Sequence, residues 1–141
     1  MTRKPFAIAW AATAAIFLAL DAVWLTVMAD LLYRPALGHL MRERFAPAPA
    51  VAFYAIYVTG VVVFAVAPAL PQRNWTGALG KGGLLGLVAY ATYDLTNQAT
   101  LKGWPWQVTL ADLCWGVFVT AVSAAAACRI TARLAGAPSR P

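Results

Sequence analysis

Side chains that commonly carry chemistry are scarce in this 141-residue sequence: one histidine, two cysteines, five acidic residues, and 11% charged residues in all. With His39 alone, paired-histidine haem or zinc sites and multi-histidine desaturase-like centres are excluded within one chain. No Ser-His-Asp set can be assembled either, because His39 falls in a connector between hydrophobic blocks. Cys114 and Cys128 share the last such block, roughly four turns apart on one helix, too far to bridge, and read as core thiols. Gly77-Ala-Leu-Gly80-Lys81-Gly82 lacks both the four-residue spacer and the Ser/Thr of a phosphate loop. No metal site, cofactor or catalytic residue is indicated.

The shortage of charge also excludes a water-soluble fold. Hydrophobic residues make up 62% of the chain and come in long blocks, more apolar surface than a soluble domain of this length can hide. Charged residues crowd between the blocks instead of recurring along an amphipathic helix. The net charge of +6 is spread one to three residues at a time beside these blocks and forms no basic stripe, which argues against nucleic acid and for topology signals and lipid headgroup anchors.

The expected fold is all-α: a single transmembrane domain over residues 1–141, an up-down four-helix bundle with spans at about 6–28, 51–70, 79–101 and 108–128. The first block follows Arg3 and Lys4 as a signal peptide would, but an apolar stretch of roughly 23 residues is longer than a usual signal core and reads as a retained helix. Residues 29–50 form a charged connector, compatible with a short helix lying in the interface. Four spans put both termini on one side. Arg3, Lys4, Arg73, Lys81, Arg129, Arg133 and Arg140 on that side, against Arg34, Arg42, Arg44 and Lys102, make it the cytoplasmic one. Trp75, Trp104 and Trp106 then belong to interfacial aromatic belts, and the sequon Asn74-Trp75-Thr76 falls on the cytoplasmic side, where it carries no glycan.

Three of the five acids, Asp21, Asp94 and Asp112, lie inside hydrophobic blocks, where each costs roughly 2.5–3.5 kcal/mol if unpaired. Asp21 is late in the first span, Asp94 late in the third and Asp112 early in the fourth, so up-down order brings all three toward the same, non-cytoplasmic face. At 100° per residue, Gly82, Gly83, Gly86, Tyr90, Tyr93, Asp94 and Asn97 share about a third of the third helix. Thr109, Asp112, Gly116, Thr120, Ser123 and Ala127 group on the fourth helix, and Trp10, Phe17, Asp21 and Trp24 on the first. Tyr54 and Tyr57 of the second reach the matching depth. The expectation is an acidic, aromatic-walled pocket formed by Asp21, Asp94, Asp112, Asn97, Tyr90, Trp24, Trp115, Tyr54 and Tyr57. Two readings compete with it: Thr109-Leu-Ala-Asp112 matches a helix-opening capping box, and Gly82-x-x-x-Gly86 is more a packing device than a functional one. Asp21-x-x-Trp24 and Asp112-x-x-Trp115 share a spacing, too short a match to establish duplication.

Tyr90-Ala-Thr-Tyr93-Asp94-Leu-Thr-Asn97 followed by Trp104-Pro105, with Asp112-x-x-Trp115-Gly116, Asp21-x-x-Trp24 and Phe53-Tyr54-x-x-Tyr57-x-x-Gly60, resembles the bacterial membrane-protein family catalogued as domain of unknown function 2177. The resemblance covers nearly the whole chain. It implies a four-helix bacterial inner-membrane protein and supplies no catalytic residues to carry over.

Three functions compete. In the first, ranked slightly ahead, the aspartates bind or move a proton, a small cation or a cationic ligand, the rings adding cation–π contacts; four helices are few for a transporter, so a homo-oligomer is expected. In the second, a lipid-modifying enzyme or its accessory subunit uses one carboxyl as general acid or base, though the missing nucleophile–base pair leans against an enzyme. In the third, the acids only pin helices in a scaffold within a membrane complex. Membrane lipids are partners in all three.

Overall fold

The computed structural model describes residues 1–135, of which nearly all are helical and none is in a strand. Four helices follow one another: α1 Arg3–Leu40, α2 Pro47–Gln72, α3 Trp75–Thr100 and α4 Trp106–Leu134. The expected helical bundle is what the chain forms. Arg140, counted above among the terminal-side charges, lies outside the described residues.

The boundaries have local causes. Pro47 opens α2 from the first helical position, where its missing N–H costs nothing. Arg73 takes a left-handed conformation in the two-residue turn before α3, and the Asn74 side chain caps that helix by accepting from the Gly77 N–H at 2.8 Å. The sequon asparagine is thus a helix cap. Gly103, at φ 71°, turns the chain between α3 and α4, and Pro105 precedes the first residue of α4.

α1 does not stop where the first hydrophobic block ends. It runs on through a π-helical turn at Ala29–Tyr33 to Leu40, so the first half of the anticipated connector is a continuation of the helix and only residues 41–46 are loop. α2 contains a second π segment, Val62–Val66. Each π segment ends two residues before a proline, Pro35 and Pro68. The wider turn gives the proline ring room against the carbonyl four residues back, and the helix passes the proline instead of ending at it.

α1, α2 and α4 are each long and apolar enough to cross a membrane. α3 has 26 residues, about 39 Å at 1.5 Å per residue, and matches them in length. Its glycines, threonines and amides make it the least apolar, and it packs chiefly against α4. That contact is the longest in the bundle and relies on missing side chains: a Cβ at Gly82 would stand 2.8 Å from the Ala124 Cβ, and one at Gly86 would collide with the Gly116 carbonyl oxygen. Phe17 of α1 fills the centre of the core, edge-on to Tyr54 and Tyr57 with centroids 6.2 and 5.3 Å away.

Two expectations are corrected by burial. Cys128 is buried, but Cys114 is exposed on the outside of α4, where its position on the helix turns it away from the neighbouring helices. Trp75 and Trp106 are exposed as belt residues would be, whereas Trp104 is only 7% exposed because its indole N–H is drawn inward to the Thr109 hydroxyl at 3.1 Å.

Candidate functional site

Contacts between helices set the level of each acid. Asp21 meets Trp115 while Tyr33 meets Asp112, and Asp21 meets Tyr54 while Trp10 meets Thr59, so α1 runs antiparallel to both α4 and α2. Gly86 packs on Gly116, Tyr90 lies against Gly116, and Gln98 bonds to Thr109, an antiparallel register that puts Asp94 opposite Asp112. Asp21, Asp94 and Asp112 are all buried and sit toward one end of the bundle.

At that end they do not fuse into one cluster. Among the described residues no three His, Cys, Asp or Glu side chains come close enough to hold a metal ion. Aromatic side chains from neighbouring helices occupy the space around the acids.

Asp21 accepts the Tyr54 hydroxyl on one oxygen at 2.5 Å and the Trp115 indole N–H on the other at 3.1 Å. Asp112 accepts the Tyr33 hydroxyl at 2.5 Å, and that same hydroxyl accepts the Trp24 indole N–H at 2.8 Å. The Trp24 and Trp115 rings are stacked, 4.5 Å apart and 8° from parallel. The two Asp-x-x-Trp segments therefore interlock across the α1–α4 interface: Asp21 holds the tryptophan of the other segment directly, and Asp112 holds it through Tyr33. Short phenol-to-carboxyl bonds of this kind belong to the stronger class of hydrogen bond, and in an apolar setting they satisfy groups that water cannot reach.

The capping-box reading of Asp112 fails on helix position. α4 begins at Trp106, which leaves Thr109 and Asp112 inside it, with the Thr109 hydroxyl donating to Gln98 Oε1 at 3.0 Å and Asp112 committed to Tyr33.

Asp94 is in a different state. It is 0% exposed, and neither carboxyl oxygen has a hydrogen-bond partner among the described residues. One turn further along α3, Gln98 bonds with Thr109 and Trp104 in a closed ring that does not include Asp94. A buried carboxyl without partners is expensive and calls for a ligand or a proton.

Of the remaining candidates, Tyr57 lies deeper, its hydroxyl 2.9 Å from that of Thr120. Tyr90 lays its ring on Gly116, and Asn97 stands half-buried past Asp94, outside the hydrogen-bonded circuit. Tyr33 was not among the expected residues. At 100° per residue it falls about half a turn from Trp24, and only the π turn between them rotates it toward the site. The proline after that turn was the one signal that could have revealed it.

A family model described as a predicted membrane protein, domain of unknown function 2177, matches residues 6–129. In the comparisons with curated proteins and with solved structures, nothing matches.

Proposed function

Starting from a chain that belongs to the domain of unknown function 2177 family of membrane proteins, we propose that it binds and moves a proton within a bacterial inner membrane, with both termini in the cytoplasm and Asp94 as the group that takes the proton up.

Asp94 carries this reading. A scaffold that uses acids only to join helices needs each acid joined to something, as Asp21 and Asp112 are by Tyr54, Trp115 and Tyr33. Asp94 has no hydrogen-bond partner among the described residues and is fully buried. An aspartate at the centre of a span costs about 2.5–3.5 kcal/mol on insertion scales, and Asp94, buried six residues before the end of α3, carries part of that cost. Its isolation supports a group that must be free to exchange what neutralises it. The proton is favoured over larger ligands by the packing: the Trp24–Trp115 stack and the Tyr90 ring lie close around the acids, and a proton needs no volume. Exposed Val23, Ile56, Phe64, Leu84 and Leu110 on the outer faces of the four helices would meet acyl chains, making membrane lipids the surrounding partner. Further copies of the chain would assemble through these same faces.

The test is flux in liposomes. Purified protein is reconstituted with an internal pH-sensitive dye and driven by a potassium diffusion potential, with sodium and potassium fluxes followed in parallel. Wild type should conduct protons, and Asp94→Asn should lower the rate by about tenfold or more. Equal rates in the two proteins, or no flux in wild type, would reject the proposal; flux of sodium or potassium in place of protons would make the ligand a metal cation.

A further inference from the structure

Threonines within these helices follow one habit. Past the first turn, Thr13, Thr26, Thr59, Thr92, Thr96 and Thr100 each donate their hydroxyl to the carbonyl four residues back, which satisfies the group without help from another helix. Three depart from it: Thr109, Thr120 and Thr131, all on α4. Thr109 bonds to Gln98, and Thr120 to Tyr57. Among the described residues Thr131 has no hydrogen-bond partner, and neither has Ser123 on the same helix, although both are fully buried.

At 100° per residue these four hydroxyls fall with Asp112 and Gly116 on about a third of the α4 circumference, the strip turned toward the bundle axis. Thr109 and Thr120 turn their hydroxyls to other helices, and those of Ser123 and Thr131 are buried. The α1–α4 register fixed by Asp21 and Trp115 places Thr13 level with Ser123. Thr13 has spent its proton on the Ala9 carbonyl, so its oxygen is left as an acceptor. Between Ser123 and Thr131 the core is lined by apolar side chains, among them Ala9, Ala65, Val66, Ala69, Ala127 and Cys128, all buried. A buried hydroxyl without a protein partner is the kind of group that internal water satisfies.

We propose that this strip of α4 is a hydrated proton path joining the acid level to the end of the bundle where the termini lie, by way of Thr120 with Tyr57, then Ser123, then Thr131. The path rests on the proton reading above and supplies the half of the route that the acids alone do not. Along it each hydroxyl or water accepts one proton on one side as it gives one up on the other. Only O–H bonds form and break, and one proton leaves at the far end for each one released by Asp94.

Hydroxyl deletions test it in the same liposomes. Ser123→Ala and Thr131→Val together should slow proton flux by about tenfold, and Ser123→Ala alone by about threefold. Thr131→Ser, which keeps the hydroxyl, and Thr92→Val, on the outer face of α3, should conduct as wild type does. The infrared carboxyl band that Asp94→Asn removes should persist in all four, showing the acid in place. If the double variant conducts normally while Asp94→Asn is silent, the path is wrong and the proton site stands. Silence of a folded Thr131→Ser protein also overturns the path, because shape and not the hydroxyl would then matter. Absence of flux in wild type removes the path together with the site.

Discussion

At the scale of single residues, the three buried aspartates divide by what they touch. Asp21 has both oxygens engaged by donors from two other helices, so replacing either partner leaves a buried group unsatisfied. Tyr54→Phe should therefore lower thermal stability in detergent, by about 0.6 and at most about 1.7 kcal/mol, the range of hydrogen bonds measured inside membranes. A double-mutant cycle with Asp21→Asn should return most of that as coupling. Asp94→Asn should show the opposite sign: no bond is lost and a buried ionisable group is removed, so the melting temperature should hold or rise. A large drop for Asp94→Asn would mean that the carboxyl has a structural partner after all.

At the scale of elements, α3 and α4 depend on close backbone approach. Gly86 stands against the Gly116 carbonyl, so Gly86→Ala must push the helices apart and should cost about 1–3 kcal/mol in a denaturation series. Gly80 has open space beside it, and Gly80→Ala should be neutral or stabilising by up to about 1 kcal/mol, since alanine is the better helix former. Equal effects at the two positions would show that helix propensity and not contact sets the outcome. α1 and α2 illustrate a second rule, in which a π turn placed ahead of Pro35 and of Pro68 lets a helix pass a residue that ordinarily ends it. The consequence for α1 falls at the candidate site, because its extension delivers Tyr33 to Asp112.

For the molecule as a whole, the least apolar helix, α3, is kept in the bundle by its contact with α4. A four-span arrangement places the loop at residues 41–46 and Gly103 on one side, and both ends of the chain with Arg73 on the other. Single cysteines at Glu43 and at Thr2, in a background lacking the native thiols, should react with a membrane-impermeant maleimide from opposite sides: Glu43 in intact spheroplasts, Thr2 only after lysis. Labelling of both from the same side would mean that α1 does not cross the membrane, and the reverse pattern, Thr2 in intact spheroplasts and Glu43 only after lysis, would invert the charge argument.

Much of this was legible along the chain. Block length and the placing of charge determine that the protein is a bundle of membrane helices, and up-down order determines that Asp21, Asp94 and Asp112 share a level, because both follow from distances counted along one helix at a time. Tyr54, Trp24 and Trp115 could be named for the same reason. Which acid is held and which is left alone could not be read that way. A hydrogen bond depends on the rotation and register of two helices against each other, and here a π turn, two missing side chains at Gly86 and Gly116, and a stacked tryptophan pair set those quantities. Only the packed bundle therefore distinguishes Asp94 from its neighbours, turns Cys114 outward, draws Trp104 inward, and leaves Ser123 and Thr131 without partners.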